Sequence, residues 1–340
     1  MDQKRVTVKD IAAKLGVSLG IINKALNDKG GISDEMRERI LTTAREMGYR
    51  VNKVAQSMAR NTIVLGVLVP AQEKDYFSFL KKGLDKEFER LADYNVQCRY
   101  YPIENTYSAA DTIETLKACM NDKVHGILLC EYFPSELEKI FEELEAQKIP
   151  TVLIGDTESA GNRYLSSIQV DAYRSGQMAA EMLHLCAKKN ASVSIFVGNK
   201  DHVEHMQKIR GFTESLKEYG LHPIGVYETY DDEEIALQLF RKISGRLDGL
   251  YVATSTFASI GKVLQNEHPD LKVICTDVDG AVAACLKAGA VQASLFQDLE
   301  KQGSTAVRVL YEYIAEKKTP EKTICITPRL VIESNLDTFI

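Results

Sequence analysis

The run Val6-Thr7-Val8-Lys9-Asp10-Ile11-Ala12-Ala13-Lys14-Leu15-Gly16-Val17-Ser18-Leu19-Gly20-Ile21-Ile22-Asn23-Lys24-Ala25-Leu26 holds two short helical patterns separated by one tight turn. Thr7 stands where an N-cap belongs, and Asp10 lies in the first turn, where an acid favours the positive end of the helix dipole. Val8, Ile11, Ala12 and Leu15 repeat at helical spacing, so a first helix is predicted from Val8 to Lys14. Gly16 can take a positive φ in the turn. Ser18 then caps a second helix, Leu19 to Leu26. Asn27-Asp28-Lys29-Gly30-Gly31 reads as a loop, and Ser33 caps a third helix, Asp34 to Met47, ended by Gly48. Two short helices across a three-residue turn, with a third packed over them, is the helix-turn-helix arrangement. Its second helix enters a DNA major groove. With Val17, Ile22, Ala25 and Leu26 inward, the outward face of that helix is Ser18, Leu19, Gly20, Asn23 and Lys24. A plain three-helix structural module fits the same spacing.

Charge supports a polyanion at this end. Residues 1–60 carry 12 Lys/Arg against 7 Asp/Glu, while the rest of the 340-residue chain carries 30 against 41. A basic end on an acidic body suits a nucleic acid partner for that end alone. No apolar run approaches the roughly 18 residues of a membrane span, and no apolar core follows Met1-Asp2-Gln3-Lys4-Arg5 as in an export signal, so a cytoplasmic location is expected. The cysteines, at 98, 119, 130, 186, 275, 285 and 325, include no pair two residues apart. They read as reduced, mostly buried thiols rather than a redox pair or zinc ribbon.

From Ile63 onward, apolar β-rich runs alternate with helical patterns. Strands are predicted over Ile63–Val69, Val96–Tyr101, Gly126–Cys130, Thr151–Gly155, Val193–Val197, Gly249–Ala253 and Val273–Thr276. Helices are predicted over Phe79–Leu91, Glu136–Gln147, Asp171–Ala187 and Met206–Tyr219. This βαβ rhythm, restarting after Asp171, implies a doubly wound α/β body in two similar halves. Ligands in such folds bind beyond the carboxyl ends of the strands. Neither a GxSxG elbow, a P-loop nor an HExxH motif occurs, so nothing in the motifs supports an enzyme. His202, Glu204 and His205 are close in sequence but form no known ligand frame, and neither a metal nor a cofactor is expected.

The motifs Val6-Thr7-Val8-Lys9-Asp10-Ile11-Ala12, Gly16-Val17-Ser18, Ala25-Leu26-Asn27, Ile32-Ser33 and Met47-Gly48-Tyr49 are together similar to the headpiece of the lactose-repressor (LacI/GalR-type) family. The resemblance implies that Leu19, Gly20 and Lys24 read bases; the amide of Asn23 suits pairing with adenine by its own chemistry. It implies that Thr7, Ser18 and Asn27 lie at the DNA backbone. Residues Asn52 to Arg60, Ala55 among them, match the family's hinge helix, whose apolar wedge, usually Leu, is Met58 here. The family's Thr-Val-Ser-Arg reads Ile21-Ile22-Asn23-Lys24. Ile21 cannot bond a phosphate and Lys24 lacks the bidentate fork of Arg, so a different operator is expected. The Pro usual before Asn52 is Val51.

In the body, Val170-Asp171, Arg210-Gly211-Phe212, Ala258-Ser259-Ile260-Gly261, Thr276-Asp277 and Phe296-Gln297 are similar to the family's sensor domain, itself like periplasmic sugar-binding proteins. The resemblance implies effector contacts at Lys208, Ser255, Asp277 and Gln297, with an aromatic at Tyr76 or Phe77. Lys208 replaces an Arg, and Ser255-Thr256 an Asn-Asp pair. The expected domains are a headpiece at 1–50, a hinge at 51–61 and a body at 62–340, whose halves are about 62–168 with 298–327 and about 169–297 with 328–340. The whole implies a regulator, read as a repressor, that binds pseudo-palindromic operator DNA under control of a small molecule, read as a sugar. No leucine heptad follows Pro328–Ile332, which points to a homodimer rather than a tail-built tetramer. A purine or other non-sugar corepressor, and a solute-binding protein without a DNA role, stay open beside it.

Overall fold

The computed structural model describes residues 6–26, 30–47, 49, 62–71, 75–105, 108–130, 137–155 and 163–340, and the chain divides into two compact units, Met1–Asn61 and Thr62–Ile340.

In the first unit, α1 (Val8–Leu15), α2 (Leu19–Leu26) and α3 (Asp34–Glu46) close over fully buried Ile11, Ile22 and Ile40. Ala12, Ala25 and Ala44 fill the remaining core, and Val17, Leu26 and Met36 pack around it. The caps are those the residue types favour. The Asp10 carboxylate accepts from both the backbone N–H and the hydroxyl of Thr7, each at 2.7 Å. The Ser33 hydroxyl accepts from the Met36 amide at 3.3 Å. Gly16 adopts φ 64°, and its N–H reaches back to the Ala12 carbonyl, ending α1 within one residue. A residue with a Cβ is strained at that angle.

The second unit is built on two six-stranded sheets. The strands are β1 (Ile63–Pro70), β2 (Val96–Ile103), β3 (Gly126–Cys130), β4 (Thr151–Ile154), β5 (Ser166–Val170), β6 (Ser192–Val197), β7 (His222–Glu228), β8 (Gly249–Val252), β9 (Lys272–Thr276), β10 (Ala293–Phe296), β11 (Thr323–Ile326) and β12 (Arg329–Val331). One sheet has the order β11-β5-β4-β3-β1-β2, the other β12-β10-β9-β8-β6-β7. All neighbours run parallel except β10 and β12. In each sheet the first strand, β1 or β6, is flanked by the next two in sequence, which is the switch of direction where such sheets open a crevice. Central strands are apolar on both faces because helices cover both sides, and Gly126–Cys130 is buried at every position.

The helices are α4 (Asp75–Leu91), α5 (Ala109–Asn121), α6 (Glu138–Ala146), α7 (Ala172–Cys186), α8 (Val203–Tyr219), α9 (Glu233–Ile243), α10 (Ala258–Glu267), α11 (Gly280–Lys287) and α12 (Leu299–Glu316). Three short links join the halves. Asp171 leads from β5 to α7, Gln297-Asp298 from β10 to α12, and Thr327-Pro328 from β11 to β12. Each link leaves the carboxyl end of a parallel strand, so the joined sides of the sheets are their carboxyl edges. Helix α7 lies against α8 at backbone distance. A Cβ on Gly176 would stand 2.1 Å from the Lys208 carbonyl oxygen, and one on Gly211 would stand 2.0 Å from that of Tyr173.

Five strands escape the sequence reading. In β7, His222-Pro223-Ile224-Gly225 carries two residues that depress strand propensity, tolerated because β7 is an edge. In β5, Ser166 and Ser167 are fully buried polar residues, and the Ser166 hydroxyl donates to the Glu321 carbonyl at 2.8 Å. β10, β11 and β12 span four residues or fewer. A run that short has no periodicity to read.

Candidate functional site

Two sets of side chains stand out, one in each unit. In the first unit, Ser18, Leu19, Gly20, Asn23 and Lys24 are exposed on one face of α2, while Ile22 and Ala25 of the same helix are buried. Leu19 is 42% exposed on that face. Thr7 is exposed beside α1 with its hydroxyl held by Asp10. Asn27, Asn52, Ala55 and Met58 lie outside the described residues.

The second set lies at the carboxyl edge of the β6–β10 sheet. Gly198-Asn199 follows β6, Thr229-Tyr230-Asp231 follows β7, and Thr254-Ser255-Thr256 follows β8. Asp277 follows β9 and Gln297 follows β10. The first turns of α8 bring His202, Glu204, His205 and Lys208 to the same edge. Tyr230, Asp231 and Asp277 all adopt left-handed backbone, at φ 53°, 53° and 57°. Non-glycine residues hold such angles at a cost of order 1–3 kcal/mol each, and Asn95, Lys123, Lys148, Asn190, Asp298 and Lys317 do so elsewhere in the body.

Lys208 is the centre of this edge. It is 2% exposed, its ammonium lies 2.6 Å from the Glu204 carboxylate, and it donates to the Ala253 carbonyl at 3.3 Å. Burial works against both charges, and each is held by the other. The Glu204 carboxyl is depressed to about 2, with His205 and His202 adding to the pull of Lys208. The Lys208 ammonium titrates above its usual range. Burial, then the Lys208 charge, push His205 down to about 4, so its ring is neutral at pH 7. The Asn199 amide donates to His205 Nδ1 at 3.1 Å.

Asp277 accepts from the Gln297 backbone N–H at 2.8 Å and from Gln297 Nε2 at 2.7 Å. Burial nevertheless leaves its carboxyl above the ordinary range. Gln297 is 4% exposed, and its Oε1 has no hydrogen-bond partner among the described residues. A buried acceptor left so costs about 1–3 kcal/mol, which a bound donor would recover. Thr254 donates to Asp231, Thr256 to Thr229 at 3.2 Å, and Thr276 to the buried Tyr251 hydroxyl at 3.3 Å.

The structure thus brings Lys208, Ser255, Asp277 and Gln297 to one sheet edge, with Ser255 exposed there. Phe77 is elsewhere: it is 3% exposed in the core of the other half, among Leu80, Leu84 and Leu128. Tyr76 belongs to α4, and its side chain is not among those described. Glu204, Tyr230, Asp231 and Thr254 are not singled out by sequence as ligand groups. For Glu204 a signal was present, since an acid four residues before a lysine on a helix forms a pair. Tyr230 is 60% exposed, and its place after β7, set by the fold, is invisible in sequence. Among the described residues no group of three or more His, Cys, Asp or Glu is arranged to hold a metal ion. None of their helices is long and apolar enough to cross a membrane.

Comparison with known proteins gives the same division of the chain. Residues 65–318 match the periplasmic binding protein domain, and residues 7–52 match the bacterial regulatory proteins of the lacI family. The chain is similar to catabolite control protein A of Streptococcus mutans, 26% identical over 335 residues that cover 94% of this chain and 95% of that one. It is also similar to the HTH-type transcriptional repressor PurR of Pasteurella multocida, 23% identical over 345 residues, 97% of this chain and 98% of that one. Among solved structures it resembles GanP, a glucose-galactose binding protein from Geobacillus stearothermophilus, with TM-score 0.70 and 20% identity over 82% of this chain and 99% of that one. It likewise resembles a periplasmic solute binding protein from Actinobacillus succinogenes with bound D-allose, with TM-score 0.74 and 17% identity over 82% and 100% of the two chains. At these identities the structural likeness is one of fold.

Proposed function

Because the chain belongs to the lacI family of bacterial regulatory proteins and carries a periplasmic binding protein domain behind its headpiece, we propose that it is a repressor whose operator affinity is set by a small polyhydroxylated ligand, a sugar, held at the carboxyl edges of the body's sheets. The headpiece reads DNA through the exposed face of α2. Leu19 touches a thymine methyl, Asn23 pairs with an adenine edge, and Lys24 meets guanine or phosphate. Thr7, Ser18 and Asn27 lie along the backbone. Asn52, Ala55 and Met58 form a hinge in which Met58 wedges into the minor groove. Two copies pair through their bodies and address two half-sites, so the operator is pseudo-palindromic.

In the body, Lys208, Ser255, Asp277 and Gln297 are the ligand's polar contacts, with Tyr76 the aromatic from the other half, since Phe77 is buried in that half's core. Sugar hydroxyls both donate and accept, which suits a wall that mixes carboxylates, amides and a single ammonium. The sugar-binding proteins of the same fold support this choice. The observation that carries the reading is the buried, unpartnered Gln297 Oε1 beside Asp277. The ligand acts by binding one arrangement of the two halves more tightly than the other, and only that difference reaches the DNA. The reading assigns no chemical turnover to the body and places the protein in the cytoplasm with its DNA.

Selection of bound duplexes from a random pool by the purified chain, at two salt concentrations, tests the DNA arm. Enrichment of a palindrome bound less tightly at higher salt supports it. Failure to enrich any sequence, with and without added sugars, refutes it. Displacement of the bound ligand by purines and not by sugars would replace the sugar with a purine corepressor.

A further inference from the structure

Lys208 is a buried lysine in a body whose other described lysines and arginines are all at least partly exposed. A buried ammonium facing a ligand crevice would ordinarily attract anions. Here it is already committed. Glu204, one helical turn earlier on α8, sits 2.6 Å from its Nζ, and the Ala253 carbonyl takes a second N–H at 3.3 Å. Of the three ammonium donors, one remains. Around it the fixed groups are acidic or neutral. Asp277 lies close enough to feel both Lys208 and Glu204, Asp231 feels His205, and the two histidines sit on the same turn. Beside it the buried Gln297 Oε1, an acceptor, has no hydrogen-bond partner among the described residues.

We propose that Glu204 is the residue that sets the ligand's charge: by occupying Lys208, it makes this edge a site for an uncharged polyol and closes it to sugar phosphates, nucleotides and other anions. The inference rests on the sugar-binding reading of the same edge and narrows it. An incoming hydroxyl donates to Gln297 Oε1 and accepts the remaining Lys208 N–H, so it satisfies the edge without any change of charge. A phosphate there meets Glu204, Asp277 and Asp231, and the one buried cation among the described residues, Lys208, is already paired with Glu204. The purpose of Glu204 is therefore selective rather than adhesive, since it lends nothing to a neutral ligand that Lys208 alone would not supply.

The test compares the full-length chain with its Glu204→Gln variant, in which the amide keeps the shape and a hydrogen bond to Lys208 but not the charge. Thermal melting is followed with inorganic phosphate, with sodium chloride of equal ionic strength, with D-glucose and with glucose 6-phosphate. Phosphate at the headpiece is common to both proteins, and a Glu204→Gln/Lys208→Gln double variant subtracts it. We expect phosphate to raise the Tm of Glu204→Gln well beyond its effect on the wild type, and the gain to vanish in the double variant. Apparent affinity for the phosphate group should rise at least tenfold on loss of Glu204. Equal phosphate response in wild type and Glu204→Gln overturns the proposal. So does tighter binding of glucose 6-phosphate than of glucose to the wild type, which leaves the edge as a ligand site of opposite preference. A gain of phosphate binding by Glu204→Gln with no sugar of a neutral panel bound by the wild type upholds the role of Glu204 and instead removes the sugar reading.

Discussion

Replacing Lys208 by Met removes the ammonium and keeps an unbranched side chain of similar reach. The structure allows the cost to be worked. Lys208 is 2% exposed and its Nζ is bonded to Glu204 at 2.6 Å, so the variant leaves a carboxylate in a largely buried position without its cation. Breaking a buried pair on one side costs about 3–5 kcal/mol. The wild-type carboxyl gives an independent figure. Its value is depressed from 4.5 to about 2, so it contributes about 3 kcal/mol at neutral pH. That contribution is fully present above 4.5 and is lost as pH falls towards 2. His205, lowered from 6.5 to about 4, acts in the same direction between those two values. In Lys208→Met both groups are released. Burial then lifts Glu204 above its ordinary value, and His205 rises. The variant is therefore hurt most at pH 7, and its deficit shrinks as the solution is acidified. Urea unfolding followed by tyrosine fluorescence reads the body, because of the 15 tyrosines only Tyr49 precedes residue 62 and tryptophan is absent. We expect a deficit of about 4 kcal/mol at pH 7 that narrows by half or more at pH 4. A deficit below about 1 kcal/mol, or one that stays constant over that pH range, would refute the reasoning, for it would mean Lys208 is not the counter-ion of Glu204.

Other consequences are simpler to state. Gly176→Ala places a methyl 2.1 Å from the Lys208 carbonyl oxygen, forces α7 off α8, and should cost about 3 kcal/mol, read as a fall in Tm. Gly20→Ala meets nothing nearer than the Ser18 hydroxyl at 3.8 Å, so it should stabilise the headpiece by about 0.5–1 kcal/mol in circular-dichroism melts while changing which duplexes are selected. Lys24→Gln removes an exposed cation from the same face, and the slope of log affinity for a selected duplex against log salt should fall by about 1. Asp277→Asn leaves only one oxygen for the two Gln297 donors, at 2.8 and 2.7 Å, and should weaken ligand binding at least tenfold with a smaller effect on DNA binding alone, measured by calorimetry and by duplex titration.

Local patterns were legible in the sequence wherever one physical cause dominated. The bounds of α2 follow from Ser18 and from the spacing of Ile22 and Ala25, and the turn at Gly16 follows from the one residue type that takes φ 64° freely. The apolar strands β1, β3 and β8 announce a sheet covered on both faces. What stayed hidden depends on neighbours far along the chain. β5 is a strand because β4 and β11 flank it, not because Ser166-Ser167 prefers one. In the site, Asp277 and Gln297 could be placed at strand ends, but their mutual hydrogen bonds arise from the alignment of β9 with β10. In sequence Glu204 is flanked by His202 and His205. Only the helical phase of α8 shows that it faces Lys208, and only the fold around Ala253 shows that both are buried. Phe77, an aromatic next to a strand end, packs inward because α4 turns it towards Leu80 and Leu84.

The central claim is that occupation of the body changes the headpiece's hold on DNA. The measurement is a titration of a duplex recovered by selection, labelled and held at fixed salt, with and without a saturating concentration of the neutral sugar that most raises the Tm of the chain. The account predicts a change in duplex Kd of about 5- to 150-fold, and the same factor in the sugar's own Kd when the duplex is present, because the coupling is reciprocal. An unchanged duplex Kd, with the sugar demonstrably bound, would contradict it.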